Sequence, residues 1–183
     1  EILENAIRPE CVVKMPELHS SVVVADQFNY EGIFNMYEFL RVIEKFFRQK
    51  GADKKVVFDE EFHTETGMYI HIKHEFYKKT TQYTRLIIRL WIYANDLVEV
   101  EKEIDGNKVK MHQGSVSVTF DGFLQTDYDD RWSYNIFYFI FRTMIEKYVL
   151  KSRFKFWENM IRRYIGDCRA ELSTYLNMNK FLY

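Results

Sequence analysis

Histidine is the side chain best suited to metal ligation and to proton transfer near neutral pH. Three of the five histidines in this sequence, His63, His71 and His74, fall close together, with Glu61, Glu65 and Glu75 beside them. Imidazole with carboxylate is a ligand set that several transition metals accept. In an extended segment, however, His71 and His74 point to opposite faces, because side chains alternate with a period of two. His63 and His71 meet only if a hairpin through Gly67 brings them together. The sequence therefore assigns no metal site, and a metal-assisted hydrolase built on His63, His71 and the nearby glutamates stands last among the functional readings.

Carboxylates are dense at Asp59-Glu60-Glu61, at Glu99/Glu101/Glu103 and at Asp127/Asp129/Asp130. Paired carboxylates that hydrolyse a bond need a cleft and one raised pKa, and residue types alone supply neither. Glu99, Glu101 and Glu103 share one strand face, where three like charges are normally solvated and discourage edge-to-edge pairing. The glycine patterns that cradle phosphates or dinucleotides are missing, as is a nucleophile elbow; Ser115 in Gly114-Ser115-Val116-Ser117 lacks the second glycine. No catalytic residue and no cofactor is assigned.

A binding chemistry is better supported. Between residues 69 and 93 two apolar rows, Met68/Ile70/Ile72/His74/Phe76 and Leu86/Ile88/Leu90/Ile92, alternate with a second set. That set comprises Tyr69, Lys73, Tyr77, Arg85, Arg89, Trp91 and Tyr93. Cations interleaved with rings on a sheet hold single-stranded nucleic acid through phosphate contacts and base stacking. The same residue types, Tyr, Trp and Arg, also dominate protein–protein hot spots. The plain alternative is that a second layer of the same chain covers this face, with the rings pairing across strands for stability. A second basic set, Lys151, Arg153, Lys155, Arg162, Arg163 and Arg169, lies near the C-terminal end. It reads as a solvated helix face or as a contact for an anionic partner.

Aromatics make up 17% of the chain, with 16 Phe and 13 Tyr. They either fill a thick core or line a cavity for an apolar ligand, for which Phe120, Phe123, Trp132, Phe137, Phe141 and Trp157 are the candidates. A carrier of a small apolar molecule or lipid is thus the leading alternative to macromolecular binding.

The elements that must position these residues follow from patterning. The chain has 183 residues, 47% hydrophobic and 29% charged, with a net charge of -1, which excludes a disordered tail and a globally basic nucleic-acid binder. Seven Gly and two Pro leave few breaks. Residues 1–30 read as an extended arm: Cys11–Met15 and Ser21–Ala25 are β-branched runs confined by Pro9 and Pro16 to an edge strand or an arm. Ile33, Met36, Leu40, Ile43 and Phe47 form one stripe of a helix over residues 33–50, stopped by Gly51. Strands run from about Lys54 to Thr126, with a tight turn at Asp105-Gly106-Asn107 and a break or bulge at Asp121-Gly122. Short connections require antiparallel pairing. Trp132 to Leu150 reads as a buried helix, its most apolar run, Trp132 to Ile145, being interrupted by Asn135 and Arg142 and shorter than the ~20 apolar residues of a membrane span, and Phe154, Trp157, Ile161, Ile165, Cys168 and Leu172 keep the helical spacing.

The expected architecture is therefore a single α+β domain over residues 31–183. An antiparallel sheet of about five or six strands is backed by the 33–50 helix and a long C-terminal helix. This order of elements resembles the helix-grip architecture of START-type lipid-binding proteins, in order only and without a shared motif. Residues 35–51, Val98-Glu99-Val100 with Asp105-Gly106-Asn107-Lys108, and residues 114–132 together resemble small archaeal proteins of no assigned activity. That resemblance implies an intracellular protein and carries over no functional residue. Two cysteines, Cys11 and Cys168, suit reduced thiols rather than a disulfide framework. The expectation is a cytoplasmic, non-catalytic binding or assembly protein without an integral membrane segment. Its partner is another protein or a second copy of the chain, with nucleic acid as the further option.

Overall fold

Asn35 decides where the first strand ends and the first helix begins. Its side-chain Oδ1 accepts the backbone N–H of Tyr37 at 3.0 Å and that of Glu38 at 3.2 Å, which satisfies two of the N–H groups a helix start leaves open. Strand β1 (His19–Phe34) stops at this cap and helix α1 (Met36–Gln49) starts after it. The expected start at Ile33 is corrected accordingly, because Ile33 and Phe34 pair with Gln113 and His112 of the last strand. Gly51, with φ +70°, ends the helix in a conformation other residues disfavour.

The computed structural model describes residues 19–64, 67–104, 107–126, 144 and 151–181. Strands β2 (Asp53–Thr64), β3 (Gly67–Lys79), β4 (Thr84–Ile104) and β5 (Asn107–Thr126) follow α1, and helix α2 (Lys151–Phe181) comes last. The expected elements at Cys11–Met15 and Trp132 to Leu150, the turn residues Asp105-Gly106, and the candidates Trp132, Phe137 and Phe141 lie outside the described residues.

All strands join one five-stranded antiparallel sheet in the order β1-β5-β4-β3-β2, which makes this an α+β fold. Strands β2 to β5 form a meander, and β1, at one edge, pairs with β5. Residues 19–30, read as part of an extended arm, are thus the first portion of an edge strand. The hairpin β4–β5 is paired as far as Ile104 opposite Asn107.

The period-two pattern sets the two faces. Met68, Ile70, Ile72, His74 and Phe76 are buried on the side that carries the helices, as are Leu86, Ile88, Leu90 and Ile92. From α1 come Met36, Phe39, Ile43, Phe46 and Phe47; from α2 come Ile161, Ile165, Cys168, Leu172 and Leu176. Phe47 stacks on Phe76 with centroids 4.2 Å apart, joining α1 to β3. No described helix is long and apolar enough to cross a membrane.

The break expected at Asp121-Gly122 is absent. Strand β5 runs through both residues in unbroken register with β4. The irregularity lies opposite, in β1, where the register shifts between Ser21 and Val23 and again between Val23 and Asp26. Ala25 takes φ +52° there, and its N–H donates to Asp121 Oδ1 at 2.9 Å. Gly122 serves packing instead: a β-carbon on it would stand 2.4 Å from Ile161 Cγ2 of α2.

Candidate functional site

The sheet face turned away from α1 and α2 carries all seven residues singled out from the alternation. Cross-strand register sorts them into rows. Phe58, Lys73, Trp91 and Thr119 lie side by side across β2, β3, β4 and β5, and Glu60, His71, Tyr93 and Ser117 form the next row. Phe62 and Tyr69 continue toward one end of the face. Glu75, Arg89 and Asp121, then Tyr77, Ile87 and Phe123, continue toward the other.

Within these rows the rings and cations contact one another. The Lys73 ammonium sits 4.0 Å from the centroid of the Trp91 ring, and Phe58 meets the same indole edge-on at 5.9 Å. His71 bridges Phe62 at 6.0 Å and Tyr93 at 5.1 Å. Arg89 lies 5.1 Å from the Phe123 ring, and Arg85 lies 5.7 Å from Tyr77. Such pairs fix side-chain rotamers on a sheet as helical i,i+4 pairs do on a helix.

Most of the charge on this face is matched internally. Arg89 Nε donates to Glu75 Oε1 at 2.7 Å, a half-buried ion pair between neighbouring strands. Arg85 Nε donates to Gln125 Oε1 at 2.7 Å. Trp91 Nε1 donates to Asp121 Oδ2 at 3.3 Å, and the Tyr69 hydroxyl donates to Asp96. The face is not uniformly accessible. Ile87 and Gln125 are buried at one end, whereas Phe62 at the other is 49% exposed. Tyr69, His71, Lys73, Trp91 and Tyr93 are half-buried between them, and neither α1 nor α2 lies over them. An open hollow of about 620 Å³ borders the face at Glu31, Asp96, Val98 and Gln113.

Phe58 and Phe62 were not among the residues expected here. A register shift between Val56 and Phe58 reverses the alternation of β2, so that Phe58, Glu60 and Phe62 join this face while Asp59 and Glu61 turn to the other. The signal in the sequence is faint: the alternation of polar and aromatic residues simply restarts after the Val56-Val57 pair.

The basic set on α2 is dispersed. Arg153, Lys155, Arg162 and Arg163 are all exposed. At 100° per residue, Lys155, Arg162 and Arg169 fall on one flank, Arg153 on the opposite flank and Arg163 on the solvent side. Arg169 donates to Asp26 at 2.9 Å and so ties α2 to β1, and Arg163 faces Asp167 at 3.9 Å. Arg153 borders a hollow of about 300 Å³ with Thr81, Phe156 and Trp157.

The histidines are divided. His71 lies on the face turned away from α1 and α2 and His74 on the side of these helices, while His63 stands opposite Met68 in the register and lies 3.0 Å from a Glu61 carboxylate oxygen. No group of three potential ligands gathers among the described residues. His74 and His112 are buried, and Nε2 of the first and Nδ1 of the second have no hydrogen-bond partner among the described residues. Burial, reinforced by the charge of Lys54, holds the His74 pKa below its ordinary value; burial does the same for His112. The proposed cavity lining is divided too. Phe120 is fully buried on the helix side and Phe123 lies on the other face. The acidic row on β4 meets bases across the hairpin: Glu101 stands opposite Lys110, whose ammonium lies 3.3 Å from Glu99.

No known protein family matches the chain, and no curated protein matches it.

Proposed function

We propose that the sheet face turned away from α1 and α2 is a recognition surface and that the protein acts by binding another protein rather than by catalysis. The observation that carries this reading is the contiguous patch of Phe58, Phe62, His71, Tyr93, Trp91 and Lys73, held in fixed rotamers by mutual contacts and left uncovered by α1 and α2. Pre-ordered aromatic side chains lose little entropy on association and are the residues that concentrate binding energy.

A protein partner is favoured over nucleic acid by the state of the cations. Arg89 is committed to Glu75 and Arg85 to Gln125, and Glu60, Asp96 and Asp121 share the region. A phosphate backbone needs uncompensated positive charge, and this face offers little. A cytoplasmic setting belongs to the same proposal, on the strength of the low cysteine usage and the free thiol of Cys168 in the core.

Position-specific photocrosslinking in cells tests the proposal. A crosslinking residue at Tyr93 or Phe62 is expected to give a discrete adduct that Trp91→Ala abolishes, whereas the same residue at Tyr37 on α1 gives none. Adducts from Tyr37 but not from Tyr93 or Phe62 would overturn the assignment. Binding to single-stranded oligonucleotides that falls steeply with salt and is weakened by Arg89→Ala would replace the protein partner by nucleic acid.

A further inference from the structure

Strand β2 is an edge of the sheet and is exposed along almost its whole length. Its outer row of backbone N–H and C=O groups has no partner strand among the described residues, and Val56 and Val57 at its centre are 50% and 42% exposed. Long edges with apolar centres are hazards that proteins cover, shorten or guard with charge. The charges on this edge are ordered by sign. Asp53-Lys54-Lys55 is followed by Val56-Val57-Phe58 and then by Asp59-Glu60-Glu61, so one end carries adjacent bases and the other adjacent acids.

We infer that β2 is the edge through which two copies of this chain pair, antiparallel and about a two-fold axis at Val57 and Phe58, to form one continuous sheet. Antiparallel self-pairing sets Lys55 opposite Glu60 of the second copy and Lys54 opposite its Glu61. Facing side chains in an antiparallel pair must share a face of the sheet. The register shift at Val57 provides for this. Lys55 and Glu60 both lie on the face turned away from α1 and α2, next to Glu75 and His71, while Lys54 and Glu61, already paired with Glu44 and His63 of their own chain, both lie on the side of these helices, next to Phe76 and Ile70. Without the shift, each of these matches would join opposite faces. At the axis Val57 of each copy meets Phe58 of the other, and Val56 stands opposite Asp59.

Two further observations single out the second copy as occupant. Lys55 and Glu60 are exposed and make no ion pair or side-chain hydrogen bond among the described residues, so both are available to a partner of opposite charge. The other edge lacks the pattern: β1 contains Asp26 and Glu31 but no Lys or Arg, so an antiparallel copy would bring no bases to its acids. An isologous contact of this kind closes after two copies and does not propagate. The inference stands independently of the sheet-face proposal, which concerns the face and not the edge.

Sedimentation equilibrium of the full chain tests it. The expected result is a dimer that weakens as salt is added. Lys55→Glu and Glu60→Lys are each expected to weaken the dimer about tenfold or more, since each creates two like-charge contacts. The double variant Lys55→Glu/Glu60→Lys restores opposite charges across the axis and is expected to recover most of the affinity. Both positions are exposed, and an unchanged circular dichroism spectrum certifies the fold. A monomer at every concentration up to about 100 μM, which would mean a contact weaker than about 6 kcal/mol, overturns the inference. So does a dimer indifferent to the single reversals, or a double variant no better than the singles.

Discussion

Gly122 of β5 lies directly beneath Ile161 of α2, so close that a β-carbon on the glycine would stand 2.4 Å from Ile161 Cγ2. Ile161 is fully buried and β-branched, with little rotamer freedom in a helix, so it cannot swing aside. Gly122→Ala is therefore expected to lift α2 from the sheet at a cost of about 1–3 kcal/mol. The pair Gly122→Ala/Ile161→Ala, which removes the Cγ2 that the new β-carbon would meet, tests whether the clash is the cause. Denaturant midpoints check this, and an unchanged midpoint for Gly122→Ala would refute the packing account.

His74 links stability to pH. Burial first, and Lys54 second, hold its folded-state pKa below the usual 6.5. The unfolded chain then takes up protons before the folded one, so the contribution is fully present above about pH 6.5 and is lost as the pH falls below that value. His112 acts in the same sense. His74→Leu removes a buried nitrogen without a partner and is expected to be neutral or stabilising by about 1 kcal/mol at neutral pH. It should also flatten the decline toward acid. Thermal melts across pH 5–8 (about the range in which histidine titrates) measure both effects; a several-kcal/mol loss at neutral pH would contradict the unpartnered state of Nε2.

Asn35 terminates a strand and caps a helix at once. Asn35→Ala is expected to cost about 1 kcal/mol through the lost cap, while Asn35→Asp or Asn35→Ser should retain most of it. Chemical denaturation resolves these differences. Equal stability of the alanine and serine variants would show that the two side-chain hydrogen bonds contribute nothing.

The faces of the central strands were legible in the sequence because period-two alternation is a local property: even-numbered residues of β3 from Met68 to Phe76 are all buried. The helix stripe was local too, and Met36, Ile43 and Phe47 are buried as expected, but the helix also buries Phe39 and Phe46 and leaves Leu40 half-buried, and the choice between continuing it back to Ile33 and capping it at Asn35 was missed. That choice turned on the pairing of Phe34 with His112, which no local window contains. Gly122 read as a strand breaker because glycine weakens strands, and its helix neighbour lies 39 positions further along the chain, at Ile161. Phe58 and Phe62 were hidden by the bulge at Val57. The pairing of Arg89 with Glu75 needed the β3–β4 register, which alternation constrains only to a choice of face.

The position of β1 has a kinetic consequence. Strands β2 to β5 each pair with the next strand in the chain, so they can zip outward from short hairpins. In contrast, even the least separated pair of the β1 ladder, Phe34 with His112, lies 78 positions apart (112 − 34), and a loop of that length must close before the ladder forms. Arg169 of α2, bonded to Asp26, waits on the same closure. The meander is thus the expected nucleus, and the docking of β1 the expected late step in reaching the final shape.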